Sequence, residues 1–132
     1  MSKWCATSET AVKKAILQAL AYEPDLAVWP NNVGMKGHVH YGLGPGSADI
    51  IGLLQLSSCK HRPCDRSDGT HFYSAIGRFI AIEVKRDAKR KPEAHQSEWL
   101  ESVRRLGGFA AVVWDVDSAR AAIGRARLGE RQ

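Results

Sequence analysis

Apolar residues recur at helical spacing over residues 8–21, where Val12, Ile16, Ala19 and Leu20 form one stripe. Thr7 or Ser8 can cap this helix, and Pro24 stops it. Leu26 to Trp29 read as a short strand closed by Pro30-Asn31-Asn32. Residues 34–47 are punctuated by Gly34, Gly37, Gly42, Gly44 and Gly46, which predicts a hairpin or loop in which His38 and His40 alternate as in a strand. The runs ADIIGLLQL (48–56) and RFIAIEV (78–84) are strand candidates. Between them, 57–73 is polar and predicts an exposed loop or insertion. A second helix is expected over 93–106, begun near Pro92, with Leu100, Val103 and Leu106 as its core stripe and Gly107-Gly108 as its end. Phe109 to Trp114 form a third long strand, and a terminal helix covers 117–127. This order predicts an α/β fold, with a mixed central β-sheet flanked by helices.

The chain has 132 residues, enough for a single domain over 1–132 with its own core. Its apolar stretches fall far short of the ~20 residues that span a bilayer. The three cysteines, Cys5, Cys59 and Cys64, make a poor disulfide scaffold. Residues 1–5 lack the apolar core of a signal peptide, so a reducing cytoplasm is the expected setting. The formal net charge is +5, which favours a polyanionic partner.

Three charged residues stand out against apolar surroundings. Asp49 opens one strand, and Glu83 and Lys85 close another. Residues i and i+2 of a strand share a face, about 6.6 Å apart. If Asp49 lies on a neighbouring strand, two carboxylates and an ammonium converge. Two carboxylates form a hard oxygen site suited to Mg²⁺ or Mn²⁺, whose charge offsets their repulsion. Such a metal activates water and polarises a phosphoryl oxygen, while a lysine orients the water or offsets transition-state charge. Phosphodiester hydrolysis needs those roles. The plain alternative is a solvated Glu83–Lys85 pair at a strand edge.

Gln96 precedes Leu100 by four residues and shares its helical face, so its amide needs polar partners there. Glu9 leans toward the buried face of the first helix and can add a third carboxylate, or can simply favour the helix N-terminus. In the segment Lys85 to Lys91, five of seven residues are basic. Arg86, Lys89, Arg90 and Lys91 are therefore candidate DNA contacts, and Arg104 and Arg105 can extend the run.

Together these residues resemble the virus-type replication-repair nuclease (VRR-NUC) family of the PD-(D/E)XK superfamily. The resemblance runs from about Glu9 to Trp114. It rests on Ile82-Glu83-Val84-Lys85, then Gln96-Ser97-Glu98-Trp99, then Gly107 to Val113, with Gly46-Ser47-Ala48-Asp49 and Trp29-Pro30-Asn31-Asn32-Val33-Gly34 before them. The resemblance implies a restriction-endonuclease-like core. It implies that Asp49, Glu83 and the Val84 carbonyl hold the metal, that Lys85 is the catalytic lysine, that Gln96 supports the site, and that Glu9 is the acidic residue of the first helix. It also implies a stand-alone phage-type homodimer that cuts branched DNA such as Holliday junctions, leaving a 5′-phosphate and a 3′-hydroxyl, in a bacterial or phage-infected cell. The 34 positions from Asp49 to Glu83 exceed a compact hairpin because of the 57–73 insertion. Cys59, His61, Cys64 and His71 in that insertion can in principle hold structural zinc, but their spacing matches no strong finger pattern. Two other readings remain beside this nuclease: a DNA-binding or recruitment module that does not cut, and a sequence-specific restriction-type nuclease.

Overall fold

A computed structural model describes residues 7–56, 64–65, 71–72 and 76–132. The zinc alternative at Cys59, His61, Cys64 and His71 lies outside what is described. Of the expected 57–73 loop, only a short antiparallel backbone pairing of β5 (Cys64–Asp65) with β6 (His71–Phe72) is described.

Helix α1 (Glu9–Leu20) begins at Ser8, whose hydroxyl accepts the Ala11 N–H at 3.1 Å. Strands β1 (Leu26–Pro30), β4 (Ile50–Leu56), β7 (Ile76–Val84) and β8 (Phe109–Val113) form the main sheet in the order β1-β4-β7-β8. The β1–β4 and β4–β7 pairs are antiparallel and β7–β8 is parallel. The parallel pair needs a crossover, which α2 (Ala94–Arg105) supplies. Helix α3 (Val116–Arg127) starts at Asp115, whose carboxylate accepts the Ser118 N–H at 2.6 Å. A separate ribbon, β2 (Gly34–Lys36) with β3 (Val39–Tyr41), lies between β1 and β4. His40 is in a strand as expected, whereas His38 sits in the turn.

Alternation along the strands sorts the core into two layers. Ile80, Ile82 and Val84 of β7 face α1 and α3, joining Val12, Ile16, Leu20 and Ile123 in the larger core. Ala81 of the same strand, with Ala48 and Ala110, faces Leu100, Trp99 and Val103 of α2. Small residues on that face let α2 lie close to the sheet. The helix period placed Leu100 correctly, but Leu106 is 76% exposed, because α2 ends before it and Leu106 is the C-cap. Gly107, at φ +96°, turns the chain from α2 into β8.

The rim of β8 is closed at Ala110. Its N–H donates to the Arg131 carbonyl at 3.0 Å, and its carbonyl accepts from Arg104 Nε at 3.1 Å and Nη2 at 3.0 Å. Arg104 is therefore engaged in structure and does not extend the exposed basic run, although Arg105 is exposed. Among the described residues no helix is long and apolar enough to cross a membrane.

Candidate active site

The end of the sheet that holds Glu83 also receives Asp49, one residue before β4. The loop that delivers Asp49 is held by Asn31, a buried residue just past β1. The Asn31 amide donates to Ser47 Oγ and to the Ala48 carbonyl, both at 2.8 Å, and its Oδ1 accepts from the Leu43 N–H at 3.3 Å. Its backbone N–H donates to the Asp49 carbonyl at 2.8 Å. Ser47 in turn donates to the Gly44 carbonyl at 2.7 Å. At Gly46, φ is +81° and α2 passes so close that a Cβ would meet the His95 carbonyl at 2.8 Å, so glycine is required on both counts.

Asp49 is then fixed from two sides. Its Oδ2 accepts the Val84 N–H at 2.9 Å, and its Oδ1 lies 4.0 Å from Lys13 Nζ. Glu83 is only 2% exposed. Its Oε1 accepts from Lys85 Nζ at 3.0 Å and from Gln96 Nε2 at 2.7 Å. Lys85 Nζ also donates to Gln96 Oε1 at 3.0 Å, closing a triangle of three side chains. The same Gln96 oxygen accepts the Glu93 N–H at 2.9 Å, as part of the capping box that starts α2. One amide thus sets the entry of the helix and orients both charged groups of β7's end.

Electrostatics mark Glu83 as the unusual group. Burial pushes its carboxyl up to about 7, and the charge of Asp49 pushes in the same direction. The hydrogen bond and charge of Lys85 oppose them, and Glu9 adds a smaller upward push. Ionising Glu83 therefore costs energy that a nearby cation would recover.

The structure brings together Asp49, Glu83, Lys85 and Gln96, with the Val84 N–H bonded to Asp49; the shared face of Glu83 and Lys85 is the one their spacing predicts. Glu9 is exposed in the first turn of α1, the second of its two expected settings, and its charge adds a small upward push on Glu83. Arg86, Lys89, Arg90 and Lys91 lie on the exposed loop after Lys85. Asp87 folds that loop, its Oδ1 accepting the Lys89 N–H at 2.9 Å and the Arg90 N–H at 3.2 Å. Its Oδ2 lies 3.8 Å from both Arg86 Nε and Arg90 Nε. Sequence reasoning missed Lys13, although its position one helical turn after Glu9 was a usable signal. It also missed the clasp made by Asn31.

Among the described residues no group of three or more His, Cys, Asp or Glu side chains is arranged to hold a metal ion. Two carboxylates are nevertheless a fitting donor set for a hard cation that keeps several waters and takes further oxygens from a phosphate, as Mg²⁺ does. No family model matches the sequence, and a search of curated proteins finds no significant match.

Proposed function

We propose that this chain is a Mg²⁺- or Mn²⁺-dependent endodeoxyribonuclease of the VRR-NUC type, with a restriction-endonuclease-like core, selective for branched DNA such as Holliday junctions. The observation that carries the reading is the Lys85–Glu83–Gln96 triangle beside Asp49, with the Glu83 carboxyl raised to about 7. Asp49 and Glu83, with the Val84 carbonyl, would hold the metal. Bound there, it would supply Lewis-acid polarisation of the phosphate and a water acidified for attack. Lys85 holds its ammonium where it can orient that water or meet charge developing on the phosphate. Gln96 keeps Lys85 and Glu83 in register. Lys13 offsets the charge of Asp49, and Glu9 adds negative potential at the mouth of the site. Arg86, Lys89, Arg90 and Lys91 carry the DNA backbone past it without reading sequence. Two copies acting as a homodimer would cut two strands of one junction.

The test is cleavage of a labelled four-way junction beside a linear duplex of matching sequence, in Mg²⁺, in Mn²⁺ and in EDTA, by wild type and Lys85→Ala. Metal-dependent cutting of the junction, lost in the variant while binding persists, is the expected result. Binding without cutting in either metal overturns the enzyme reading. One observation favours the second reading, a DNA-binding module that does not cut: Lys85 Nζ already lies 3.0 Å from Glu83 and compensates its charge without any metal.

A further inference from the structure

Between β1 and β4 the chain leaves the main sheet and builds the β2–β3 ribbon. Lys36 pairs with Val39, so Gly37 and His38 alone make the turn, with Gly37 at φ +62°. The Tyr41 ring lies over Gly34, in the space a Cβ would occupy. The ribbon carries large apolar side chains in the open. Met35, Val39 and Tyr41 on its strands, and Val33 and Leu43 at its base, are between 38% and 69% exposed. None of them belongs to either core cluster. A two-stranded ribbon is marginal in water. Its register puts Lys36, Val39 and Tyr41 on one face and Met35 with His40 on the other, and exposed apolar side chains that share a face mark a contact surface.

Charge narrows the choice of partner. No Asp or Glu occurs between Asp25 and Asp49, while Lys36 lies on the ribbon. The ribbon therefore offers apolar surface with the positive charge of Lys36 and no negative charge of its own. Its base is also tied to the candidate site. Asn31 accepts from Leu43 on one side of the loop and donates to Asp49 on the other. The base of the ribbon is thus joined to the loop that carries Asp49.

We propose that the β2–β3 ribbon is a DNA-engaging arm that meets unstacked bases beside the phosphate presented to Asp49 and Glu83. On the face that Lys36, Val39 and Tyr41 share, Lys36 contacts a backbone phosphate and Val39 and Tyr41 lie against base faces. Apolar and aromatic side chains gain most where bases are already open. The interior of a linear duplex offers no such bases, whereas a branch point does. The arm rests on the nuclease reading above and supplies its selectivity for branched DNA.

The test separates binding from cutting. Wild type, Lys36→Ala and the double variant Val39→Ser with Tyr41→Ser are compared by fluorescence anisotropy on a four-way junction and a linear duplex. The measurements are made in EDTA across a salt series, with thermal melts to confirm folding. The double variant is expected to lose about tenfold in junction affinity, with a smaller loss on the duplex. Lys36→Ala is expected to reduce the salt slope on both DNAs by about one. Unchanged affinity in all variants overturns the proposal. So does a loss of junction binding that follows a fall in sedimenting mass, which would make the ribbon a contact between two copies. Wild type that binds through the ribbon but never cuts would overturn the nuclease and leave the arm standing. Wild-type cutting that the ribbon variants match on every DNA would overturn the arm alone.

Discussion

Strand β7 has a buried cation at each end. Arg78 near its start and Lys85 just past its last residue are equally buried, at 8% exposure. They differ in what accepts their protons. Arg78 donates through Nε to the Gly107 carbonyl at 3.3 Å and through Nη1 to the Ala126 carbonyl at 3.0 Å, and its guanidinium lies 5.9 Å from the Phe109 ring centre. Those carbonyls belong to the ends of α2 and α3, where the helix dipole favours a cation and nothing titrates. Lys85 donates instead to two side chains, one of which changes charge near neutrality. A cation seated on fixed dipoles fastens helices to a sheet. A cation seated on a titratable carboxylate is available to an incoming group.

Removing each cation in turn should separate the two ends most widely. Lys85→Ala should lower junction cleavage by about 10²–10³-fold, far beyond its cost in stability, which comes from Glu83 Oε1 and Gln96 Oε1 losing their donor. Arg78→Ala should lose about 3 kcal/mol of stability because two buried carbonyls lose their donor, with cleavage per folded molecule retained. Single-turnover kinetics and urea melts on both variants check this. An equal loss of activity in the two would erase the distinction.

The next effect is a pH dependence that belongs to one end only. The Glu83 carboxyl rises from an ordinary 4.5 to about 7 on folding. The folded state therefore binds this proton more tightly than the unfolded state. Below the ordinary value Glu83 makes no difference to stability. As pH rises through the window to about 7, stability falls, and above it the full penalty of about 3 kcal/mol stands. Glu83→Gln should match wild type at the acid end and exceed it at the alkaline end of a series of urea melts. Arg78→Ala should lower the whole curve without changing its shape.

A smaller effect comes from keeping the charge of Arg78 and removing its fork. Arg78→Lys cannot reach both carbonyls with the same geometry and should lose about 1–2 kcal/mol, again without altering cleavage. The smallest is expected at a third cation, on the surface. Arg127 donates to both Asp25 oxygens at 2.8 and 2.7 Å and to Glu23 Oε2 at 2.7 Å, joining α3 to the turn after α1. These carboxylates hold its guanidinium above its ordinary value, and the bond to Arg127 holds Asp25 below its own. Because the group is more than a third exposed, Arg127→Ala should cost at most about 1 kcal/mol, and salt should shrink even that.

The contrast within β7 also shows where sequence reading succeeds. The i, i+2 spacing of Glu83 and Lys85, and the helical phase of Gln96 relative to Leu100, are local patterns, and the structure joins these three side chains. Asp49 was legible because a charged residue opened an apolar run. Arg78 stood at the edge of an equally clear run and carried no such signal. Its partners are 29 and 48 residues away, at helix ends whose approach depends on the tertiary fold. Asn31 was hidden for the same reason, since its amide bonds to a loop 16 and 17 residues further on. Leu106 fitted the helical stripe but fell one residue beyond α2, where the turn at Gly107 carries it into solvent. Periodicity identifies the face of an element; it does not say where the element stops or what crosses over to meet it.

The closure of β8 at Ala110 has a consequence for the protein in crowded solution. An outer strand with open main-chain groups is a template on which a neighbour's strand can add, and repeated addition builds fibrils. Here the Arg131 carbonyl occupies the donor of Ala110 and the Arg104 side chain occupies its acceptor. At the opposite rim, β1 ends in Pro30, which has no N–H to offer. Two arginines and a proline, none of them part of the proposed chemistry, thus guard the sheet against zippering into ordered aggregates.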